Sequence, residues 1–209
     1  MTMTRTEHDS LGEMDLPVDA VYGIHTQRAL DNFPITGVAL SHFPELVRAL
    51  AMVKKAAAIA NRDLGELDAE RAATIIAVCD EIIAGEHHEH FVVDMVQGGA
   101  GTSTNMNTNE VIANLGLAKM GYAFGDYAHL HPNDHVNRSQ STNDVYPTAI
   151  RLAVLAKCVD LAAEQRRLRD AFALKAREFG HVMKVGRTQL QDAVPITLGS
   201  EFASFATTV

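Results

Sequence analysis

The chain has 209 residues, of which 47% are hydrophobic, enough for a globular protein with a sizeable core. Its net charge of −8 at pH 7 argues against a nucleic-acid-binding protein, which would carry a basic surface. No apolar segment resembles a secretory signal or approaches the ~20 residues of a membrane-spanning helix, so we expect a cytoplasmic protein without membrane contact.

The two cysteines point to the same compartment. Cys79 and Cys158 each lie in a predicted helix, and neither has a C-x-x-C partner. We expect two buried free thiols, an arrangement that is typical of a reducing compartment.

The first 46 residues are predicted to be extended and irregular, because glycine and proline interrupt them too often for a long helix. Residues 22–26 and 32–35 are candidate ordered loops. His25 lies in the first of these loops, and it is either a site residue or a hydrogen-bonded structural histidine.

Two helices are predicted next, over residues 44–61 and 68–85. In the first, apolar residues recur at spacings of three and four, and Lys54 and Lys55 are assigned to its solvated side. In the second, Asp68 is the predicted N-cap and Gly85 the stop.

The histidine-rich segment 86–90 follows the second helix. Its His-x-His pattern could chelate a metal ion, but it lacks the H-E-x-x-H spacing of helical zinc sites. We therefore expect a solvated loop here and no metal site.

The first of three polar segments spans residues 97–107, where Gly98, Gly99 and Gly101 precede a helix predicted over 109–121. The segment matches neither a P-loop nor a dinucleotide-binding fingerprint. An anion site and an ordinary glycine turn with a helix cap both explain it.

The second polar segment, 131–144, opens the longest predicted helix, which runs from Ser141 or Thr142 to about Phe179. The free N–H groups of a first helical turn favour an anion. At ~1.5 Å per residue this helix would be on the order of 50 Å long, which indicates a bundle shared between subunits. Its seam at bundle spacing consists of Val154, Cys158, Leu161, Gln165, Leu168, Phe172, Ala176 and Phe179.

The third polar segment, 186–195, follows a short connection or strand at 180–185. Pro195 is predicted at the first position of a last helix with Leu198, Phe202, Phe205 and Val209 on one face. This period has no cap or breaker after it, so we expect the sequence to be truncated within that helix.

The predicted fold class is mainly α. Residues 1–140 are expected to form an N-terminal domain, and residues 141–209 to begin a long helical bundle. The three polar segments supply neutral donors suited to carboxylate oxygens, and no Ser–His–Asp arrangement is apparent. Such donors stabilise a transition state in which negative charge builds up on a carboxylate, and removing one typically costs ~3 kcal/mol.

The same segments resemble a known family. Similarity to the N-terminal part of the aspartase/class II fumarase superfamily covers nearly the whole chain and is most specific in 131–144. It also includes residues 7–13, 22–26, 32–35, 101–110 and 186–192. The chain is more similar to the aspartate ammonia-lyase branch of this superfamily than to its fumarase branch.

The resemblance implies a homotetramer around a long helical bundle, with each active site assembled from three subunits and no cofactor. The substrates would be L-aspartate and fumarate. Thr102, Ser141 and Thr142 would contact the β-carboxylate, and Asn143 would lie near the departing amine. Near the α-carboxylate would lie Thr188 and Gln189.

In this family a serine on a mobile loop, in the pattern G-S-S-x-M-P-x-K-x-N, removes the proton from C3. An aci-carboxylate dianion forms, and ammonia then leaves to give fumarate. The pattern does not occur in residues 1–209, so no catalytic residue is assigned and the chain alone is expected to be inactive. A non-catalytic fragment or interaction piece is the alternative from another functional class.

A class II fumarate hydratase is the alternative within the superfamily. Fumarases usually carry G-S-G-T-Q-S where residues 99–104 read G-A-G-T-S-T, and histidine where Gln189 stands. Gln189 followed by residues 192–195 favours an aspartase, although some aspartases have histidine at that position.

Three further residues, His131, Asn133 and Asp134, resemble a second anion site of fumarases. A structural turn leading to Ser141 explains the same residues, and both interpretations stay open.

Overall fold

Helices make up most of the structure, which confirms the predicted mainly-α class. The computed structural model describes residues 3–97 and 99–209, so Gly98 of the first polar segment lies outside the described residues. None of the described helices combines the length and the apolar composition that crossing a bilayer requires. The helices and strands are β1 (Thr4–Asp9), β2 (Gly12–Pro17), α1 (Ile24–Asn32), α2 (Pro44–Asp63), α3 (Ala69–Ala84), α4 (Thr102–Lys119), α5 (Thr142–Glu178), β3 (Met183–Thr188), β4 (Gln191–Thr197) and α6 (Leu198–Thr208).

The chain divides into two compact units, with the boundary between Val154 and Leu155. Helix α5 begins in the first unit and ends in the second. The domain boundary at residue 140 marks the start of this helix and stays a prediction.

The N-terminal segment is more ordered than its glycines and prolines predict. Strands β1 and β2 pair antiparallel, with Thr4 opposite Pro17 and Asp9 opposite Gly12. Gly12 has φ +117°, a left-handed conformation that glycine adopts without steric cost. The prediction of extended chain without a long helix is confirmed by β1 and β2. The prediction that the segment is irregular was wrong, because glycine and proline here end short elements, a hairpin and a nine-residue helix, rather than prevent them.

Two buried carboxylates hold the start of α1. Glu110 on α4 and Glu7 on β1 accept hydrogen bonds between 2.6 and 3.0 Å from the hydroxyl of Thr26 and from backbone N–H groups. Because a helix N-terminus leaves its first N–H groups unpaired and favours negative charge, the two carboxylates fix where α1 begins. The N–H groups belong to Gly23, Ile24, His25 and Thr26.

Helices α2 and α3 carry much of the core of the first unit, as their apolar spacing predicts. Asp68 caps α3 by accepting from the N–H of Arg71 at 3.0 Å, and Gly85 ends it with φ +109°. Both predicted ends of this helix are confirmed. The fully buried side chains include Val47, Leu50, Ile75, Cys79 and Ile82.

Helix α4 begins at Thr102 rather than at the predicted residue 109. Its first turns are polar, and several of their buried groups bond within the protein. The side chain of Asn107 accepts from the N–H of Val92 at 3.0 Å and donates to the carbonyl of His90 at 3.1 Å. The N–H of Thr104 donates to Gln97 at 2.9 Å. These bonds let a polar sequence form a buried helix, which apolar periodicity does not reveal.

In the second unit β3 and β4 pair antiparallel, and Pro195 lies in β4 opposite Val185. The prediction that Pro195 opens the last helix was therefore wrong. Val194 has no side-chain acceptor with which to cap a helix starting at Pro195. Helix α6 begins instead after Thr197, whose hydroxyl accepts from the N–H of Ser200 at 3.0 Å.

The apolar seam of α5 is only partly covered. Phe172 and Phe179 pack against phenylalanines of α6, with ring centroids 5.6 to 6.1 Å apart. Leu161 remains 56% exposed, and the thiol-bearing residue Cys158 is also exposed. The prediction of two buried thiols is confirmed for Cys79 and wrong for Cys158, because no described element covers that part of the helix.

Replacing Glu110 by Gln tests whether the buried carboxylate anchors α1. The amide of Gln would place its own N–H groups against a backbone N–H and remove the negative charge. We expect urea denaturation, followed by circular dichroism, to show a loss of about 2–4 kcal/mol in the free energy of unfolding. Glu13→Gln, at an exposed position in β2, should change it by less than ~0.5 kcal/mol. A Glu110→Gln chain as stable as this control would contradict the anchoring role.

Candidate active site

The predicted site residues Ser141, Thr142 and Asn143 form the first turn of α5. Ser141 caps this turn, because its hydroxyl accepts from the N–H of Asn143 at 3.2 Å. The carboxylate of Asp144 accepts in return from the N–H of Ser141 at 3.1 Å. This reciprocal pair fixes the start of the helix and leaves Ser141 and Asn143 exposed, with Thr142 half-buried.

The hydroxyl of Thr142 is held from inside the first unit. Asn105, buried on α4, donates from Nδ2 to Thr142 Oγ1 at 3.1 Å and to Asn137 Oδ1 at 3.2 Å. Asn137 in turn donates to the carbonyl of Gln140 at 3.1 Å. The loop that precedes α5 and the first residue of that helix are thus bonded to one buried amide.

Lys54 of α2 lies at the base of this network. Its ammonium is fully buried and donates to Asn137 Oδ1 at 2.7 Å and to Gln140 Oε1 at 3.1 Å. A buried charge is costly unless it is hydrogen-bonded, and two amide oxygens supply those bonds. Burial lowers the pKa of Lys54 to about 7, with the charge interaction of Cys79 opposing the shift.

The assignment of Lys54 to a solvated face was wrong. The buried face of α2 follows a second row at helical spacing, which consists of Val47, Leu50, Ala51, Lys54, Ala58 and Asn61. A lysine at helical spacing among Val47, Leu50, Ala51 and Ala58 is the signal that could have identified it. Lys55, its neighbour, lies on the other side and pairs with Asp80 at 2.5 Å.

The start of α4 adjoins the start of α5 in the first unit. Gly101, at φ +87°, precedes Thr102, and a Cβ on this glycine would overlap the ring of Tyr146 on α5. The glycine therefore permits the close approach of the two helix starts. Thr102 itself is exposed. The starts of α4 and α5 are therefore close together, with Thr102 at the first and Ser141, Thr142 and Asn143 at the second.

Thr102 also lines a cleft of about 200 Å³ against α1. His25 and Arg28 lie on the opposite wall of this cleft, together with Asn32. The guanidinium of Arg28 is paired with Asp9, at 2.7 and 2.9 Å. His25 therefore lies beside a predicted site residue, while its backbone N–H bonds to Glu110 at 2.9 Å.

The residues of the predicted second anion site lie at the π turn Pro132–Val136, with Asn133 and Asp134 inside it and His131 as its N-cap. Nδ1 of His131 accepts from the N–H groups of Asn133 and Asp134, both at 3.1 Å. These bonds account for the histidine as a turn-fixing residue. The anion-binding interpretation stays a prediction.

Thr188 and Gln189 belong to the second unit, where they lie at the tip of the β3–β4 hairpin. Gln189 and Leu190 have φ +43° and +64°, so the two-residue turn is left-handed throughout. All four residues of the tip, Thr188 to Gln191, are exposed.

A family comparison covers most of the chain. The profile of the family described as Lyase matches residues 12–209.

The chain belongs to this lyase family.

Similar proteins in the family include two curated aspartate ammonia-lyases. That of Pseudomonas canavaninivorans is 59% identical over 98% of this chain and 43% of the relative. That of Helicobacter pylori strain J99 is 55% identical over 97% of this chain and 43% of the relative. The chain thus spans less than half the length of the curated relatives that it matches.

Two solved structures share the fold. The fumarate lyase:delta crystallin of Brucella melitensis, bound to cobalt, has 61% identity and a TM-score of 0.92 over 99% of this chain and 45% of that chain. The class II fumarase of Schistosoma mansoni has 34% identity and a TM-score of 0.86 over 98% of this chain and 43% of that chain. The resemblance to the aspartase/class II fumarase superfamily is confirmed.

Replacing Lys54 by Met should change how stability depends on pH. The folded chain releases this proton near pH 7, whereas an unfolded lysine keeps it up to its ordinary pKa of 10.5. Between these values the unfolded state binds more protons, so the free energy of unfolding rises with pH by up to ~1.4 kcal/mol per unit. Below pH 7 Lys54 is protonated in both states, so it adds no pH dependence to the free energy of unfolding there.

Lys54→Met removes that rise, so the stability difference, wild type minus variant, should increase between pH 7 and about 9.5 in urea titrations. Lys55→Met is the matched control and should leave the corresponding difference flat, because Lys55 pairs with Asp80 near the surface. Equal pH slopes in the wild type and Lys54→Met would show that the ammonium is not buried as described.

Proposed function

We propose that the protein carrying this chain is an aspartate ammonia-lyase, which converts L-aspartate reversibly to fumarate and ammonia. The observation that carries the proposal is the Thr142 hydroxyl, which Asn105 of α4 holds at the start of α5 at 3.1 Å. Relatives that are 53 to 59% identical and named aspartate ammonia-lyase support the choice of substrate.

The proposed chemistry uses these groups as donors to the β-carboxylate. Removal of the proton from C3 leaves an electron pair that delocalises onto this carboxylate as an aci-carboxylate dianion. Hydroxyl donors and the N-terminus of α5, aimed at the oxygens where the charge develops, stabilise that dianion more than the bound aspartate. Collapse of the dianion expels ammonia on the opposite face and forms fumarate.

The remaining roles follow the same proposal. Asn143, exposed next to Thr142, would contact the departing amine, and Thr188 with Gln189 would bind the α-carboxylate. The general base is assigned to a serine loop whose pattern is absent from residues 1–209. We therefore expect the 209-residue chain alone to release no fumarate from L-aspartate.

A class II fumarate hydratase is the second candidate, favoured by the structural likeness to the Schistosoma mansoni class II fumarase. Both reactions involve fumarate, so the two activities are distinguished by their other reactants, ammonia for the lyase and malate for the hydratase. Ammonia release from L-aspartate without conversion of fumarate to malate supports the ammonia-lyase, and the reverse result overturns it.

Thr142→Val in the protein that carries this chain removes the hydroxyl at nearly constant volume. We expect kcat/KM for L-aspartate to fall about 100-fold, with fumarate followed by its ultraviolet absorbance, because one donor to the developing charge is lost. Thr148→Val, at an exposed position on the same helix, should leave kcat/KM within twofold. An unchanged value for Thr142→Val would exclude this threonine from the site.

A homotetramer in the cytoplasm completes the proposal. Val154, Leu155, Val159 and Leu161 on α5 are between 56 and 69% exposed, which is unusual for aliphatic side chains close together on one helix. Association of α5 helices from several copies would cover them. The free thiols Cys79 and Cys158 fit a reducing compartment.

Leu161→Asp tests the assembly by placing a charge in the proposed contact. Sedimentation velocity should show the wild-type chain as an oligomer and the variant with at least tenfold weaker association. Arg167→Gln serves as the control, since six residues at ~100° each place it about 120° around α5 from Leu161. A monomeric wild-type chain at micromolar concentration would contradict the proposed association of this segment.

A further inference from the structure

The segment 86–90 between α3 and α4, predicted to be a solvated loop, contains one short turn and no buried residue. His88–His90 forms a single 3-10 turn, and His87 precedes it as the N-cap. A 3-10 helix has three residues per turn, so side chains at positions i and i+3 lie one above the other. His87 and His90 have this spacing, and their rings stack with centroids 6.3 Å apart and planes 20° from parallel.

A carboxylate lies beside each of these two imidazoles. Nε2 of His90 is 3.5 Å from Glu89 Oε1, and Nε2 of His87 is 3.1 Å from Glu81 Oε2. The potential ligand atoms of His87, Glu89 and His90 all lie within 4.8 Å of one another. In a tetrahedral site with ~2.1 Å bonds, ligand atoms lie ~3.4 Å apart. Side-chain rotations can bring the three ligand atoms to this separation.

We propose that His87, His90 and Glu89 bind a divalent transition-metal ion of the zinc class, with water completing the coordination. Two imidazoles and one carboxylate match the donor set that zinc accepts, and they do not suit magnesium or calcium, which prefer oxygen ligands. The site lies on the 3-10 turn and does not include any residue of the proposed carboxylate site.

Glu81 lies beside the proposed site and is not one of the proposed ligands. Its second oxygen, Oε1, pairs with the ammonium of Lys119 at 2.5 Å. This ion pair fixes the carboxylate against α4, so Glu81 can orient the imidazole of His87 while Lys119 balances its charge. A carboxylate that orients a ligating histidine is a common second partner in metal sites.

The neighbouring His88 does not share this position. Its Nε2 lies 2.8 Å from the backbone carbonyl of Ile82, so its ring is engaged with the end of α3. His88 is thus a histidine of the same segment with a different contact, which makes it a matched control.

The test is isothermal titration calorimetry of zinc chloride into the untagged 209-residue chain after treatment with a chelator. We expect one saturable site per chain with a dissociation constant in the micromolar range. His87→Gln and His90→Gln should each weaken it at least tenfold. His88→Gln, whose amide can still donate to the Ile82 carbonyl, should change it less than twofold.

Cobalt gives a readout that separates coordination from a structural effect. Co²⁺ added to the wild-type chain should produce visible absorption bands that His88→Gln retains and His87→Gln loses, with unchanged circular dichroism for both. Absence of saturable zinc binding below 1 mM, an equal loss in His88→Gln, or competition by equimolar magnesium would each overturn the proposal. These readouts require no turnover, so they are independent of the proposed lyase activity.

Discussion

The buried ammonium of Lys54 is the interaction on which the candidate site depends. It joins α2 to the loop before α5 through Asn137 and Gln140, and Asn137 shares Asn105 with the hydroxyl of Thr142. Leaving a buried donor or acceptor unsatisfied costs ~1–3 kcal/mol, so each member of this chain of bonds constrains the next. The position of a surface hydroxyl is thereby set from the core, by polar bonds rather than by apolar packing.

Helix α4 plays two parts because its buried face is polar. Near its start, Asn105 bonds to Thr142, and further along, Glu110 accepts four hydrogen bonds at the start of α1. Burial raises the pKa of Glu110, while the donors of Thr26 and His25 oppose that shift. One helix therefore fixes two helix N-termini, and the helix α1 that it positions lines the cleft beside Thr102.

Sequence periodicity predicts the elements that apolar packing stabilises and misses those that polar bonding stabilises. The ends of α3 and α5 follow from capping residues and spacing. The true start of α4 and the depth of Lys54 depend on side-chain partners outside the helix concerned, such as Gln97 for Thr104 and Asn137 for Lys54. The family resemblance, carried by motifs rather than by periodicity, supplied Thr102 and Thr142 as site residues, yet it does not identify the bonds that hold them.

The two proposed carboxylate-binding groups differ in rigidity, and this bears on specificity. Thr142 lies at a capped helix start with internal bonds, whereas Gln189 lies in an exposed hairpin turn, at φ +43°. A non-glycine residue in this conformation costs roughly 1–2 kcal/mol, which the β3–β4 pairing must offset. A rigid hydroxyl suits stabilisation of a developing charge, because folding has already fixed its orientation and the reaction does not have to reorient it. Substitutions in an exposed turn need not disturb that hydroxyl. Aspartases and fumarases can therefore differ at residues such as Gln189 while the start of α5 stays the same.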